Sequence, residues 1–170
     1  ALDSARGATW HGRLSRSGKL SGFTEGAQGG ASGQVEGLLW TFFPRIGSGV
    51  RSGDRWTDTT TYQIKDGPAT FAVRVVTNYS AGASQPRNGI EALEVQAAFS
   101  SSRSGTVETS QGQMDVDGTG TGTGTYYVSH EGNIFEGETV EQATLNVTSP
   151  SLARPLPIRS TNTITITRLP

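Results

Sequence analysis

The chain has 170 residues, of which 33% are apolar and only 17% charged, with 23 glycines, 22 threonines and 18 serines. That length predicts a single domain, 1–170, and the composition suffices for one buried core. A formal net charge of −1, from 14 basic and 15 acidic residues, excludes the electrostatic footprint of a nucleic-acid or anionic-membrane binder, and the absence of cysteine excludes disulfides, thiolate metal sites and a cysteine nucleophile.

In chain order, Trp10, Gly12 and Leu14 share one face of a strand, Ser15 to Gly18 turn, and Leu20 and Phe23 return, predicting a hairpin. A Gly/Ala/Ser loop follows from Gly26 to Gly33. Val35, Leu38, Leu39, Phe42 and Phe43 then fall at helical spacing and Pro44 stops the run, predicting one packing helix over about 33–43. From Trp56 to Ile64 the period becomes two, and the turn Lys65 to Pro68 leads to a second strand through Phe71, Val73 and Val75 that ends near Tyr79. Ser80 to Gly89 reads as a polar loop, Leu93 to Phe99 as a strand, Ser100 to Gly105 as a turn and Thr106 to Met114 as a returning strand. Val116 to Val128 is extended, and its alternation puts Gly118, Gly120, Gly122 and Gly124 on one face and Thr119, Thr121, Thr123 and Thr125 on the other. The expected cover for the glycines is the helix carrying Trp40, Phe42 and Phe43. His130 to Asn133 turns the chain into Ile134 to Val147, prolines 150, 155 and 157 interrupt the pattern, and Ser160 to Leu169 is the last strand. The expected fold is therefore mainly β, an antiparallel meander or curved half-barrel sheet of eight or nine strands with one packing α-helix.

Motifs for chemistry are weak. Asp115-Val116-Asp117-Gly118 opens like a calcium loop, but its twelfth position is Tyr126 where a bidentate glutamate is needed. His11 and His130 are too few for a histidine metal site, there is no Gly-x-Ser-x-Gly elbow, and no glycine motif follows a strand to cradle a phosphate. The carboxylate pairs Asp54/Asp58 and Glu91/Glu94 read as solvated charges rather than a hydrolytic dyad. The chain is thus expected to be no enzyme, with no catalytic, cofactor or metal-binding residues. Asn78-Tyr79-Ser80 and Asn146-Val147-Thr148 match the N-glycosylation pattern, making Asn78 and Asn146 candidate glycan acceptors.

The terminal strand is unusual. Thr161, Thr163, Ile164, Thr165, Ile166 and Thr167 alternate strictly with no charge among them, and the prolines before them would let 149–170 swing away as a detachable strand segment. Such a strand either closes its own sheet or adds to another copy's, forming a fibre. The expected partners are therefore copies of the same chain, as a homo-oligomer or filament, with no nucleic acid and no membrane insertion, since no run approaches 18 apolar residues. The alternative is a half-barrel that takes a lipid or other apolar ligand between helix and sheet, lined by Trp40, Phe43, Trp56, Tyr62 and Phe71. Low charge and absent thiols suit an extracellular or cell-surface location, with the periplasm as alternative. Ala1 to Arg6 lacks the apolar stretch of a signal peptide, so a mature, processed chain is expected.

Gly53-Asp54-Arg55-Trp56-Thr57-Asp58-Thr59, the tract Gly118 to Tyr127, and the ending Pro155 to Arg159 with Thr165 to Pro170 resemble the C-terminal half of a group of uncharacterised, secreted, threonine-rich bacterial proteins. The resemblance covers Arg6 to Pro170 and implies the curved antiparallel half-barrel of envelope lipoprotein carriers. It implies no activity. It further implies that the first half of the longer members is absent here, so that the open side of the half-barrel needs a partner.

Overall fold

The computed structural model describes residues 10–14, 20–25, 45–46, 49–66, 68–87, 89–110, 112–129 and 132–167. Trp10–Leu14 (β1) and Leu20–Glu25 (β2) form an antiparallel hairpin. The remaining strands are Arg55–Asp66 (β3), Ala69–Arg87 (β4), Ile90–Thr109 (β5), Gly112–Ser129 (β6), Ile134–Thr148 (β7) and Leu156–Thr167 (β8). They build one antiparallel sheet in sequence order, and it is open: β3 and β8 are its two edges.

Long strands follow from long runs of β-branched, aromatic and small residues at period two. β5 has 20 residues, so at the usual rise it extends about 65 Å. The register runs straight across the sheet: Thr59 opposes Val76, Val76 opposes Ser100, Ser100 opposes Thr121, Thr121 opposes Gln142 and Gln142 opposes Thr161. Opposed residues share a face, so the sheet has a threonine face (Thr57, Thr59, Thr61, Ser100, Ser102, Thr119, Thr121, Thr123, Thr161, Thr163, Thr165) whose members are all exposed. The other face is apolar. Its core is Ile46, Tyr79, Val95, Ala97, Tyr126 and Val128, with Val50, Trp56, Leu93, Ile134 and Ile166 packed around it.

Three expectations change. Ser80 to Arg87 is strand, not loop: β4 continues to Arg87, with one bulge between Ala81 and Ser84. The chain reverses between the paired Arg87 and Ile90, with Gly89 at φ +76° as a tight hairpin requires. Ser100 to Gly105 does not turn the chain but lies within β5; the reversal comes between Thr109 and Gly112. The last strand begins at Leu156, four residues earlier than expected, since Pro157 is tolerated on an edge strand that need not donate outward. The expected strand Thr106 to Met114 is therefore divided, its start continuing β5 to Thr109 and its end opening β6 from Gly112, and the described residues contain eight strands. The expected helix over 33–43, with Trp40 and Phe43, lies outside the described residues, as does the turn from Ser15 to Gly18.

The glycine row of β6 is on the apolar face as the alternation requires, and among the described residues its cover comes from the flanking strands. A Cβ on Gly122 would lie 2.2 Å from Phe99 Cζ, one on Gly118 2.6 Å from Leu145 Cδ2, and one on Gly120 2.6 Å from Ser101 Oγ. Side chains of β5 and β7 thus lean sideways over β6. Gly137 of β7 plays the same part under Tyr126.

Candidate functional site

Three regions of this sheet can meet another molecule: the free edge at β8, the apolar face and the threonine face. β8 is bonded to β7 from Leu156 to Thr167, so that part of the segment expected to be detachable is paired along one side. Thr161, Thr163, Thr165 and Thr167 project exposed from the threonine face, while Ile164 and Ile166 are half-buried on the other. Arg159 is the only charge in the strand. Leu152, Leu156 and Ile158 are 38%, 53% and 45% exposed, the last two within this strand and the first lying four residues ahead of it. Exposed apolar side chains next to an uncovered strand are the combination that templates further pairing. The opposite edge differs, since β3 carries Arg55, Asp58, Lys65 and Asp66.

On the apolar face the structure brings together Trp56 and Tyr79, stacked with centroids 4.9 Å apart and planes inclined by 15°. The Trp56 indole N–H donates to Arg45 O at 3.1 Å, and the Arg45 amide donates to Tyr79 OH at 3.3 Å. Asp58 takes an ion pair from Arg45 at 3.6 Å and a hydrogen bond from the Thr60 hydroxyl at 2.9 Å. It is committed to structure and forms no dyad with Asp54, which accepts from the Arg51 amide at 2.8 Å. Tyr62 and Phe71 share the face with Trp56, but six residues of extended chain, about 20 Å, separate Trp56 from Tyr62. The three do not line one small cavity.

Burial pushes the Tyr79 phenol up to about 12, against the opposing effect of the hydrogen bond from Arg45. The raised value means that the fold favours the neutral phenol. Its stabilising contribution is complete below pH 10, the ordinary value, and is lost as pH rises towards 12. Denaturant unfolding should therefore lose about 2–3 kcal/mol across that interval on account of this group, and Tyr79→Phe should flatten the dependence. An unchanged slope in the variant would refute the assignment.

Across the threonine face lie two shallow depressions. One, about 1070 Å³, is lined by Arg87, Tyr127, Glu136, Glu138, Thr165 and their neighbours, and a second, about 400 Å³, by Arg55, Asn78, Gln96 and their neighbours. They share Thr123, Gly124 and Thr125, so the two adjoin on β6. The larger is walled at one end by the tip of the β4–β5 hairpin. The bulge at Ala81 to Ser84 bends β4, and Arg87 reaches over β5 to lie 4.0 Å above the Tyr127 ring, donate to Tyr127 OH at 2.5 Å and pair with Glu136 at 3.7 Å. Glu94, one of the two carboxylates considered with Glu91, is occupied by Gln85 and Gln96 at 3.0 Å each.

Neither candidate glycan acceptor is in a loop. Asn78 sits exposed within β4 and accepts from the Thr57 hydroxyl at 2.7 Å, and Asn146 is half-buried within β7. Asp115 and Asp117 both lie on the threonine face of β6, and among the described residues no three metal-ligating side chains cluster. The feature that sequence reasoning missed is the Arg103–Glu141 pair on the apolar face. One guanidinium nitrogen of Arg103 lies 2.6 and 2.7 Å from the two oxygens of Glu141, and the Ser101 hydroxyl donates to the same carboxylate at 2.8 Å. Comparison with protein-family models, curated proteins and solved structures finds no match.

Proposed function

We propose that the chain is a non-enzymatic structural subunit, exported to the cell surface or beyond, that joins copies of itself through strand contacts at β8. The observation that carries this reading is the edge itself: 12 residues with one charge and one proline, both among the first four, open on one side among the described residues, with Leu156 and Ile158 exposed within it. Edge strands of monomeric proteins are ordinarily short, charged, kinked or covered.

Negative-stain microscopy of the purified chain should show filaments at high concentration. Thr163→Lys places a charge on the exposed edge without touching the core, and should abolish the filaments while leaving the far-ultraviolet circular dichroism unchanged. Monodisperse monomers of the unmodified chain would overturn the proposal. The apolar face with Tyr62, Phe71 and Ile64 would then stand as the surface for a lipid or other apolar ligand.

A further inference from the structure

The two edges of the sheet are complementary in direction, length and face. All five pairings from β3 to β8 are antiparallel, so β3 and β8 themselves run in opposite directions. When β8 of one copy is laid beside β3 of another in the same orientation, the junction is antiparallel like every pairing inside the sheet. Each strand has 12 residues. The cross-sheet register shows that odd-numbered residues of β3 and odd-numbered residues of β8 occupy the threonine face, so a junction that continues both faces must pair odd with odd.

We infer that β8 of each copy adds to β3 of the next, pairing Arg55 with Thr167 through to Asp66 with Leu156. The inference rests on the self-assembly reading above and adds to it the partner strand and the register. This is the one face-preserving register that sets all 12 residues of both strands opposite one another; Pro157, opposite Lys65, takes its place without donating. The register sets Thr57, Thr59 and Thr61 opposite Thr165, Thr163 and Thr161, and on the apolar face Trp56 opposite Ile166 and Ile64 opposite Ile158. Threonine pairs and aromatic or aliphatic pairs are favourable neighbours across antiparallel strands. The alternatives are poorer. Sliding by two residues in either direction leaves two residues of each strand unpaired, and in one direction also brings Lys65 opposite Arg159; a two-fold β3 to β3 contact that keeps both faces cannot be in full register, and one of its two nearest registers sets Arg55 against Lys65. Asp58 offers no unpaired charge to the junction, because Arg45 and Thr60 already hold it. Each surface meets a different one on its neighbour, so the contact is head-to-tail and does not terminate.

The chain has no cysteine, which makes single-cysteine variants clean probes. Thr59→Cys and Thr163→Cys, both at exposed positions, are mixed under mild oxidation after each is shown to keep the circular dichroism of the parent. The expected result is a disulfide-linked heterodimer that is lost on reduction, no dimer from either variant alone, and a ladder of oligomers from the double variant. A dominant link between Thr61→Cys and Thr163→Cys would overturn the register. Dimers of Asn162→Cys alone would reveal a two-fold contact between β8 strands, overturning the head-to-tail inference while self-assembly stands. A monomer of the double variant with an internal disulfide would show that the sheet closes on itself and would overturn the inference. Absence of every cross-link, with a single monomer mass in sedimentation, would overturn the self-assembly reading as well.

Discussion

Replacing Gly122 by alanine is expected to destabilise the fold by at least about 1–3 kcal/mol, the usual range for overpacking. The added methyl would meet Phe99 Cζ at 2.2 Å and the carbonyl oxygen of Val140 at 2.4 Å. The first atom belongs to a side chain that can move, but the second is backbone of the paired strand and cannot yield without opening the ladder. A parallel change on the other face, Thr121→Val, meets only solvent and should stay within about 0.5 kcal/mol of the parent. Thermal unfolding of the two variants side by side decides the matter: equal melting temperatures would show that the glycine row is not required for packing.

The second large effect is expected at Arg103. Its guanidinium is 22% and the Glu141 side chain 10% exposed, so the pair is mostly withdrawn from water. Arg103→Ala leaves the carboxylate with the Ser101 hydroxyl alone, and removal of one partner from a buried pair costs about 3–5 kcal/mol. Because Arg103 keeps some contact with solvent, the lower end is expected. The double replacement Arg103→Met with Glu141→Leu removes both charges at similar volume, and should recover most of that loss. Chemical denaturation of the single and double variants measures it. A double variant no more stable than Arg103→Ala would mean that the site depends on hydrogen bonding and shape rather than on an uncompensated charge.

These two positions also show what was legible in the chain. The alternation Trp56 to Ile64 and the Gly/Thr alternation of β6 could be read directly, because there side-chain chemistry changes with every residue. The stretch Ser100 to Gly105 could not, because Ser101, Arg103 and Gly105 on the buried side are as polar or as small as the serines on the exposed side. Burial at that point is secured by Glu141, 38 residues beyond Arg103, and a partner so distant leaves no local period. At Ser80 to Gly89 a signal did exist. Asn88-Gly89 is a strong hairpin dipeptide, but the serines, glycine and proline around it favoured a loop. The cover of the glycine row was legible as a need for bulk and not as a source, since Phe99 and Leu145 come to lie over β6 through register alone.

The connections of the sheet bear on how quickly it can form. Asp66 pairs with Ala69, Arg87 with Ile90 and Thr109 with Gly112, so three successive hairpins each start from residues only three apart. Although partners at the far ends are widely spaced, as with Ala92 and Ser129, each ladder can grow one pair at a time from its turn, and no step waits for a long loop to close. The slow search that penalises most all-β topologies is replaced by zipping, in which the entropy lost per step stays small. The order in which the ribosome delivers the strands is also the order in which they pair, so every emerging strand finds its neighbour already present and the growing edge is occupied soon after it is made.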